Sequence, residues 1–230
     1  MLILGIETAT ERVSVAVGGH EGVIGLFEIT KGRRHAETLV PAIEFTCRQA
    51  GIEMEEISVV AVDVGPGLFT GMRVGLASGK AIAQALRIPM IGISSLDLLA
   101  FPCRHTDRVV VPVIDARKGE VFSAMYRQVP GGIQRIAEPR VGSVDDLVAD
   151  LMARNQDVLC VGDGARRYAD EIRDGYHCEI GGDAFPSAAP LVQLAHAQAL
   201  REEWVNAREI EPVYLREPDA MINWKTRAAR

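Results

Sequence analysis

Three apolar, β-branched-rich runs open the chain at residues 2–8, 12–18 and 22–29, divided by short polar or glycine-containing turns. That spacing predicts a three-stranded meander. The pattern then changes period. Residues 36–50 read as a helix, 57–64 as a buried strand, 70–86 as a helix and 89–93 as a short strand. Ser94 or Ser95 is placed to cap a brief helix after it.

From residue 109 the same order begins again. Strands are predicted at 109–115, 120–126 and, more weakly, 133–137, followed by a helix over 144–153 capped by Ser143, with Asp145 and Asp146 suited to its first turn. A strand at 158–161, a helix near 165–172, a strand near 178–180 and a helix over 189–202 complete the second pass. Each pass reads βββαβαβα. Such a unit builds a mixed sheet with helices on both faces. Doubled, it is similar to the two-lobed α/β plan of actin, Hsp70 and the sugar kinases, a ribonuclease H-like fold. The boundary is expected within 101–108, giving an N-terminal lobe at 1–103 and a C-terminal lobe at 104–230 whose tail packs back on the first.

A net charge of −6 argues against a dominant basic surface for nucleic acid, so the Arg33–Arg34 and Arg166–Arg167 pairs read as solvated surface. The opening apolar run stops at Glu7, too soon for a signal peptide or a membrane span, and a cytoplasmic protein without membrane attachment is expected. Cys47, Cys103, Cys160 and Cys178 form no CxxC pair; most sit in apolar surroundings and read as buried reduced thiols. The five histidines show no metal spacing, and His35, just before a helix, reads as a capping or surface residue.

Folds of this plan hold nucleotide phosphates on the first hairpin of each half, where an acid and a glycine turn bring backbone N–H groups to oxygen. Here Glu7, Thr8 and Thr10 occupy the first hairpin without a glycine, and Asp115 begins a second that is crowded by Arg117 and Lys118. Gly162 and Gly164, leading a helix, complete the residues that a residual nucleotide could touch. The plain reading, a strand–helix turn with Asp163 or Gly164 near the cap, is the favoured one. A working ATPase is not evident.

The 65–73 loop, Gly-Pro-Gly-Leu-Phe-Thr-Gly-Met-Arg, has neither Walker A nor G-x-G-x-x-G spacing. In the helix it opens, Gly71, Gly75 and Gly79 recur every four residues and so share one face. Interior glycines cost about 0.8–1 kcal/mol each relative to alanine, which close backbone packing can offset. Two readings fit: the stripe packs on the chain's own sheet, or it faces a partner. Two apolar lines on helix 36–50 favour a partner, and the expected interface is Leu39, Ala42, Ile43, Thr46, Gly71, Met72, Gly75, Leu76 and Gly79. Pro41 means that this helix either starts near Thr38 or kinks.

The hairpin 5–10, the run 35–41, the loop residues Gly65, Pro66, Gly67, Phe69, Thr70, Gly71 and Arg73, the stretch 114–121, Gly162-Asp163-Gly164 and the segment 212–216 together resemble the TsaB (YeaZ) family. Glu7 and Leu68 depart from that family's more usual Asp and Ser. The resemblance implies a non-catalytic subunit that activates a TsaD-type catalytic partner in making threonylcarbamoyladenosine in tRNA. It implies a TsaE-type ATPase subunit in the complex and tRNA contacts through the complex; the apolar helix patch itself predicts a homodimer when the chain is alone. No cofactor is expected on this chain; ATP and metal belong to the partner subunits. The TsaD family is also similar, but it carries a His-x-x-x-His metal pair after the strand equivalent to 89–93, where this chain has Ser94-Ser95-Leu96-Asp97. A stand-alone ATP-dependent phosphotransferase, with Asp63 or Asp115 as base, and a glycoprotease-like peptidase are the alternatives.

Overall fold

A computed structural model describes residues 1–30, 32, 34–182 and 185–216. The Leu2–Glu7 strand (β1) pairs antiparallel with Arg12–Gly19 (β2), which pairs with Gly22–Thr30 (β3). Helix α1 spans His35–Ala50 and leads to β4 (Ile57–Gly65), parallel to β1. Helix α2 (Phe69–Leu86) crosses over to β5 (Met90–Ser94), parallel to β4, and α3 (Ser95–Ala100) closes the first pass. The sheet order is β3-β2-β1-β4-β5.

The second pass repeats the first. Strands β6 (Val109–Arg117), β7 (Glu120–Val129) and β8 (Gly132–Ser143) form the meander, and α4 spans Val144–Arg154. Strand β9 (Val158–Val161) lies parallel to β6 and to β10 (Glu179–Ile180). Helices α5 (Asp163–Arg167) and α6 (Ala169–Gly175) connect these two strands, and α7 (Ala188–Ala199) follows. The order β8-β7-β6-β9-β10 matches the first sheet strand for strand. This is the actin-like duplication that the pattern predicts.

Three details differ from the sequence reading. Helix α1 begins at His35 and runs through Pro41, which sits on the exposed side, where water can reach the carbonyl that proline leaves unbonded. The helix expected near 165–172 is broken at Tyr168 (φ −108°) into α5 and α6. Strand β8 extends to Ser143, so the weak run 133–137 is only part of a long strand at the sheet's edge. Arg33 lies outside the described residues.

Alternation along the central strands feeds four apolar layers. Leu4, Ile6, Val60 and Val62 point to α1 and α2, while Ile3, Val59 and Ala61 point the other way, to α7. In the second half Val111 and Val113 meet α4 and α6, and Val110 and Ile114 meet α3. The covering helices are therefore exchanged across the middle. Helix α3, from the first pass, sends Leu96, Leu99 and Ala100 onto the second sheet. Helix α7, from the end of the second pass, lays Ala188, Leu191, Val192 and Ala195 on the first.

Candidate functional site

The two hairpins expected to hold phosphate meet each other. Glu7 is fully buried, and its Oε1 accepts the Ala9 N–H (2.8 Å). Thr8 Oγ1 donates to the Gly71 carbonyl (2.8 Å), and Thr10 is buried beneath His35, whose Nε2 donates to the Thr10 carbonyl (2.7 Å). His35 is thus an interior strut between hairpin and helix rather than a surface or capping residue. Its position at the very start of α1 gave no sign of this, because the hairpin it braces lies far back in sequence.

On the second hairpin the Asp115 carboxylate accepts from the Arg117 N–H (2.9 Å), the Arg117 guanidinium (3.1 Å) and Arg167 (3.1 Å). Arg117 reaches across to Glu11 of the first hairpin at 2.7 Å, and that bond is the main reason its guanidinium holds its proton more tightly than usual. The space bounded by Thr10, Glu11, Asp115, Arg117 and Asp163 is about 10 Å³. A triphosphate is many times larger and would have to displace the Arg117 bridge. Gly162 (φ +113°) and Gly164 both press on the backbone of β6, where a Cβ at either would collide with Val113 and its neighbours. Their backbone is spent on close packing inside the chain. Asp163 beside them accepts the Asp115 N–H (3.1 Å); burial, with the Asp115 charge adding to it, pushes its carboxyl up to about 6.

The 65–73 loop is fastened on both sides. Gly65 adopts φ +97°, a conformation that a side chain would strain, with the Met72 sulfur against it. The Asp63 carboxylate accepts the Gly65 N–H (2.7 Å) and the Ser95 hydroxyl (2.7 Å). Gly67 lies against the Ala9 carbonyl, and the Leu68 N–H donates to that oxygen (2.6 Å). Arg73 stacks 3.6 Å over Phe69 and donates to Tyr214 Oη (3.0 Å), joining the loop to segment 213–216. Between them, a cavity of about 190 Å³ is floored by Leu68, Phe69 and Phe122 and rimmed by Arg117 and Arg216.

The glycine stripe is corrected by the structure. A Cβ on Gly71 would strike the Thr8 carbonyl, one on Gly75 the Thr8 hydroxyl, and one on Gly79 the Val62 side chain at 2.6 Å. The stripe therefore seats α2 on β1 and β4 of its own sheet. Leu39, Ala42, Ile43, Thr46, Met72 and Leu76 are buried along with Gly71, Gly75 and Gly79. Helical period identifies residues that share a face but not which way that face turns.

The outward face carries a different set. On α2 it is a ridge of Ala77, Ala81 and Ala85, all exposed; on α1 Val40 (62% exposed) stands beside α2, while Phe45 (45%) lies at the other edge against Phe27 of β3. Between the helices runs a groove of about 810 Å³ lined by Val40, Ile43, Cys47, Ala81 and Ile82. The four-residue spacing of the alanines was available in sequence, beside the glycines that drew attention first. Ser94, where a TsaD-type chain would begin its histidine pair, caps α3 by accepting the Leu96 N–H, and Ser95 is committed to Asp63. Among the described residues no group of three His, Cys, Asp or Glu side chains could hold a metal ion, and no helix is long and apolar enough to cross a membrane.

Comparison with known proteins agrees with this architecture. The family model described as TsaD, tRNA N6-adenosine threonylcarbamoyltransferase, matches residues 28–224. The tRNA threonylcarbamoyladenosine biosynthesis protein TsaB of Escherichia coli is 31% identical over 98% of this chain and 97% of its own length. TsaB of Bacillus subtilis is 27% identical over 97% and 98%. The solved structure of YeaZ from Pseudomonas aeruginosa superposes with a TM-score of 0.79 at 26% identity, covering 93% of this chain and 99% of that one. With its doubled sheets, its fastened 65–73 loop and relatives matching end to end, the chain belongs to the TsaB family of tRNA threonylcarbamoyladenosine biosynthesis proteins, and it shares the TsaD family profile over residues 28–224.

Proposed function

We propose that this chain is a non-catalytic subunit that docks and activates a TsaD-type partner through the outward faces of α1 and α2. The observation that carries the reading is the apolar groove between these helices, with Val40 more than half exposed beside the alanine ridge. Small residues let a partner helix approach closely, and contiguous exposed apolar area of this kind marks an interaction surface. The filled space between the hairpins and the structural use of Ser94 and Ser95 favour a supporting role over catalysis. On this reading ATP and metal are held by the partner subunits, a TsaE-type ATPase joins the complex, tRNA is met through the complex, and the protein works in the cytoplasm. Without a partner the same face pairs two copies about a two-fold axis, so homodimer and heterodimer exclude each other.

Co-purification with the TsaD-type subunit tests this directly. Val40→Asp and Ala81→Glu, both at exposed positions, should abolish co-elution on size-exclusion chromatography and leave the thermal melt unchanged. Normal complex formation by both variants would refute the assignment of the face. Threonylcarbamoyl transfer by the purified chain alone would refute the non-catalytic role.

A further inference from the structure

Buried carboxylates are normally fully hydrogen-bonded, because an unpaired oxygen inside a protein loses its hydration with nothing in return. Two oxygens here break that rule together. Glu7 ends β1, and Asp63 lies on the parallel neighbour β4, one step beyond the Ile6–Val62 pair, so the two share one face of the sheet. Their side chains are 0% and 3% exposed. Each carboxylate has one oxygen satisfied, Glu7 Oε1 by the Ala9 N–H and Asp63 Oδ1 by Gly65 and Ser95. Glu7 Oε2 and Asp63 Oδ2 have no hydrogen-bond partner.

Two ionised carboxylates side by side in a dry layer repel each other strongly, and something must neutralise one of them. The surrounding charges do not. On β2, Arg12 favours the ionised form of Glu7, but it is shared with Glu28 of β3 at 3.3 Å and is outweighed by burial. On α3, Asp97 adds negative charge but is held by Arg135 (2.9 Å) and Tyr126 (2.7 Å). On α1, His35 is turned to the Thr10 carbonyl. Helices α7 and α2 carry no acidic side chain in their first turns, and Ser14, opposite Glu7 on β2, is occupied by Glu28 and the Ala188 N–H. Across the cleft, Glu11, Arg117 and Asp115 are paired with one another. A metal ion is poorly served, since among the described residues no third His, Cys, Asp or Glu completes a ligand group with these two carboxylates.

We propose that Glu7 and Asp63 hold one proton in common, Oε2 of one to Oδ2 of the other, as an acid–carboxylate pair that clasps the first hairpin to the 65–73 loop. The bond satisfies both orphaned oxygens at once and removes one of the two charges. Burial pushes Asp63 from the ordinary 3.8 up to about 7, and burial together with the Asp63 charge drives Glu7 well above its usual range. Because these groups bind protons more tightly folded than unfolded, the clasp is at full strength at low pH and is lost as pH rises through the folded values. Its loss acts where α2 begins, since Glu7 sets the hairpin that holds the Gly71 carbonyl and Asp63 sets Gly65.

Infrared spectroscopy of the whole protein in heavy water at neutral pH should show the C=O band of a buried protonated carboxyl group, fading as pH rises and absent when Glu7→Gln and Asp63→Asn are combined. In urea melts, the unfolding constant of the wild type relative to the Glu7→Gln/Asp63→Asn double variant should rise about tenfold per pH unit between about pH 5 and 7, as one shared proton requires. A wild type without the band, or a ratio flat with pH, overturns the proposal. So does a wild-type melt raised by magnesium or calcium and lowered by chelator when Glu7→Gln is indifferent, for a cation would then bridge the oxygens. Should either variant fail to fold, the pH dependence of the wild-type band alone decides.

Discussion

Replacing Gly71 by alanine separates a glycine turned outward from one pressed on its own sheet. Alanine in a solvent-facing helix position would stabilise by up to about 1 kcal/mol. At Gly71 the added methyl meets the Thr8 carbonyl, a backbone atom of β1's hairpin that cannot rotate aside. Overpacking of this kind costs about 1–3 kcal/mol, and lifting the helix stretches the buried Thr8 Oγ1–Gly71 hydrogen bond (2.8 Å), worth about 1 kcal/mol more. Setting these losses against the propensity gain leaves a net destabilisation of about 2 kcal/mol, or about 4–8 °C in Tm for a chain of this size. Urea denaturation followed by circular dichroism reads it directly. Ala77→Gly, on the exposed ridge of the same helix, serves as control and should cost about 1 kcal/mol, from propensity alone. If Gly71→Ala matches or exceeds the wild type, α2 does not sit on β1 as described.

Other expectations follow from the same geometry. Glu11→Gln breaks a half-exposed bridge to Arg117 and should cost less than about 1 kcal/mol in urea melts at moderate salt, with the difference shrinking further at high salt. Ser95→Ala removes a hydroxyl from the buried Asp63 and should cost about 1–3 kcal/mol, more than the surface bridge. Thiol titration of the native protein should reach the partly exposed Cys103 before Cys47 and Cys160, which are buried; burial also raises the Cys47 thiol, so its labelling should require unfolding.

The order of elements could be read from the chain because each change of period leaves a local mark. The 12–18 run alternates, the 70–86 run repeats every three to four residues, and Ser143 announces α4 as its cap, which the structure closes into a capping box with Asp146. What could not be read depended on tertiary register. Glu7 looked like a vestige of a phosphate hairpin, and nothing within the hairpin points to Asp63, which becomes its neighbour only when β1 and β4 pair in parallel across more than fifty residues. The facing of the glycine stripe failed for the same kind of reason. Glycine permits close approach without saying to what, and the answer lay in Thr8 and Val62 on the sheet beneath. Arg117 and Lys118 were seen as crowding the second hairpin, but the bridge to Glu11 needed both halves in place.

The exchange of α3 and α7 has a consequence for synthesis. The inner face of the first sheet, with Ile3, Ala16, Val59 and Ala61, is covered by a helix that ends at Ala199, so it has no full lid until that helix has left the ribosome. The first hundred residues must wait, as an open sheet with one greasy side, for a segment that begins only at Ala188. A truncation that removes α7 should therefore injure the beginning of the molecule more than its end, leaving β6–β10 sheltered by α3, α4 and α6 while β1–β5 seeks another cover. Chaperone capture of nascent chains halted before Ala188, and release of those extended beyond Ala199, would be the trace of that delay in the cell.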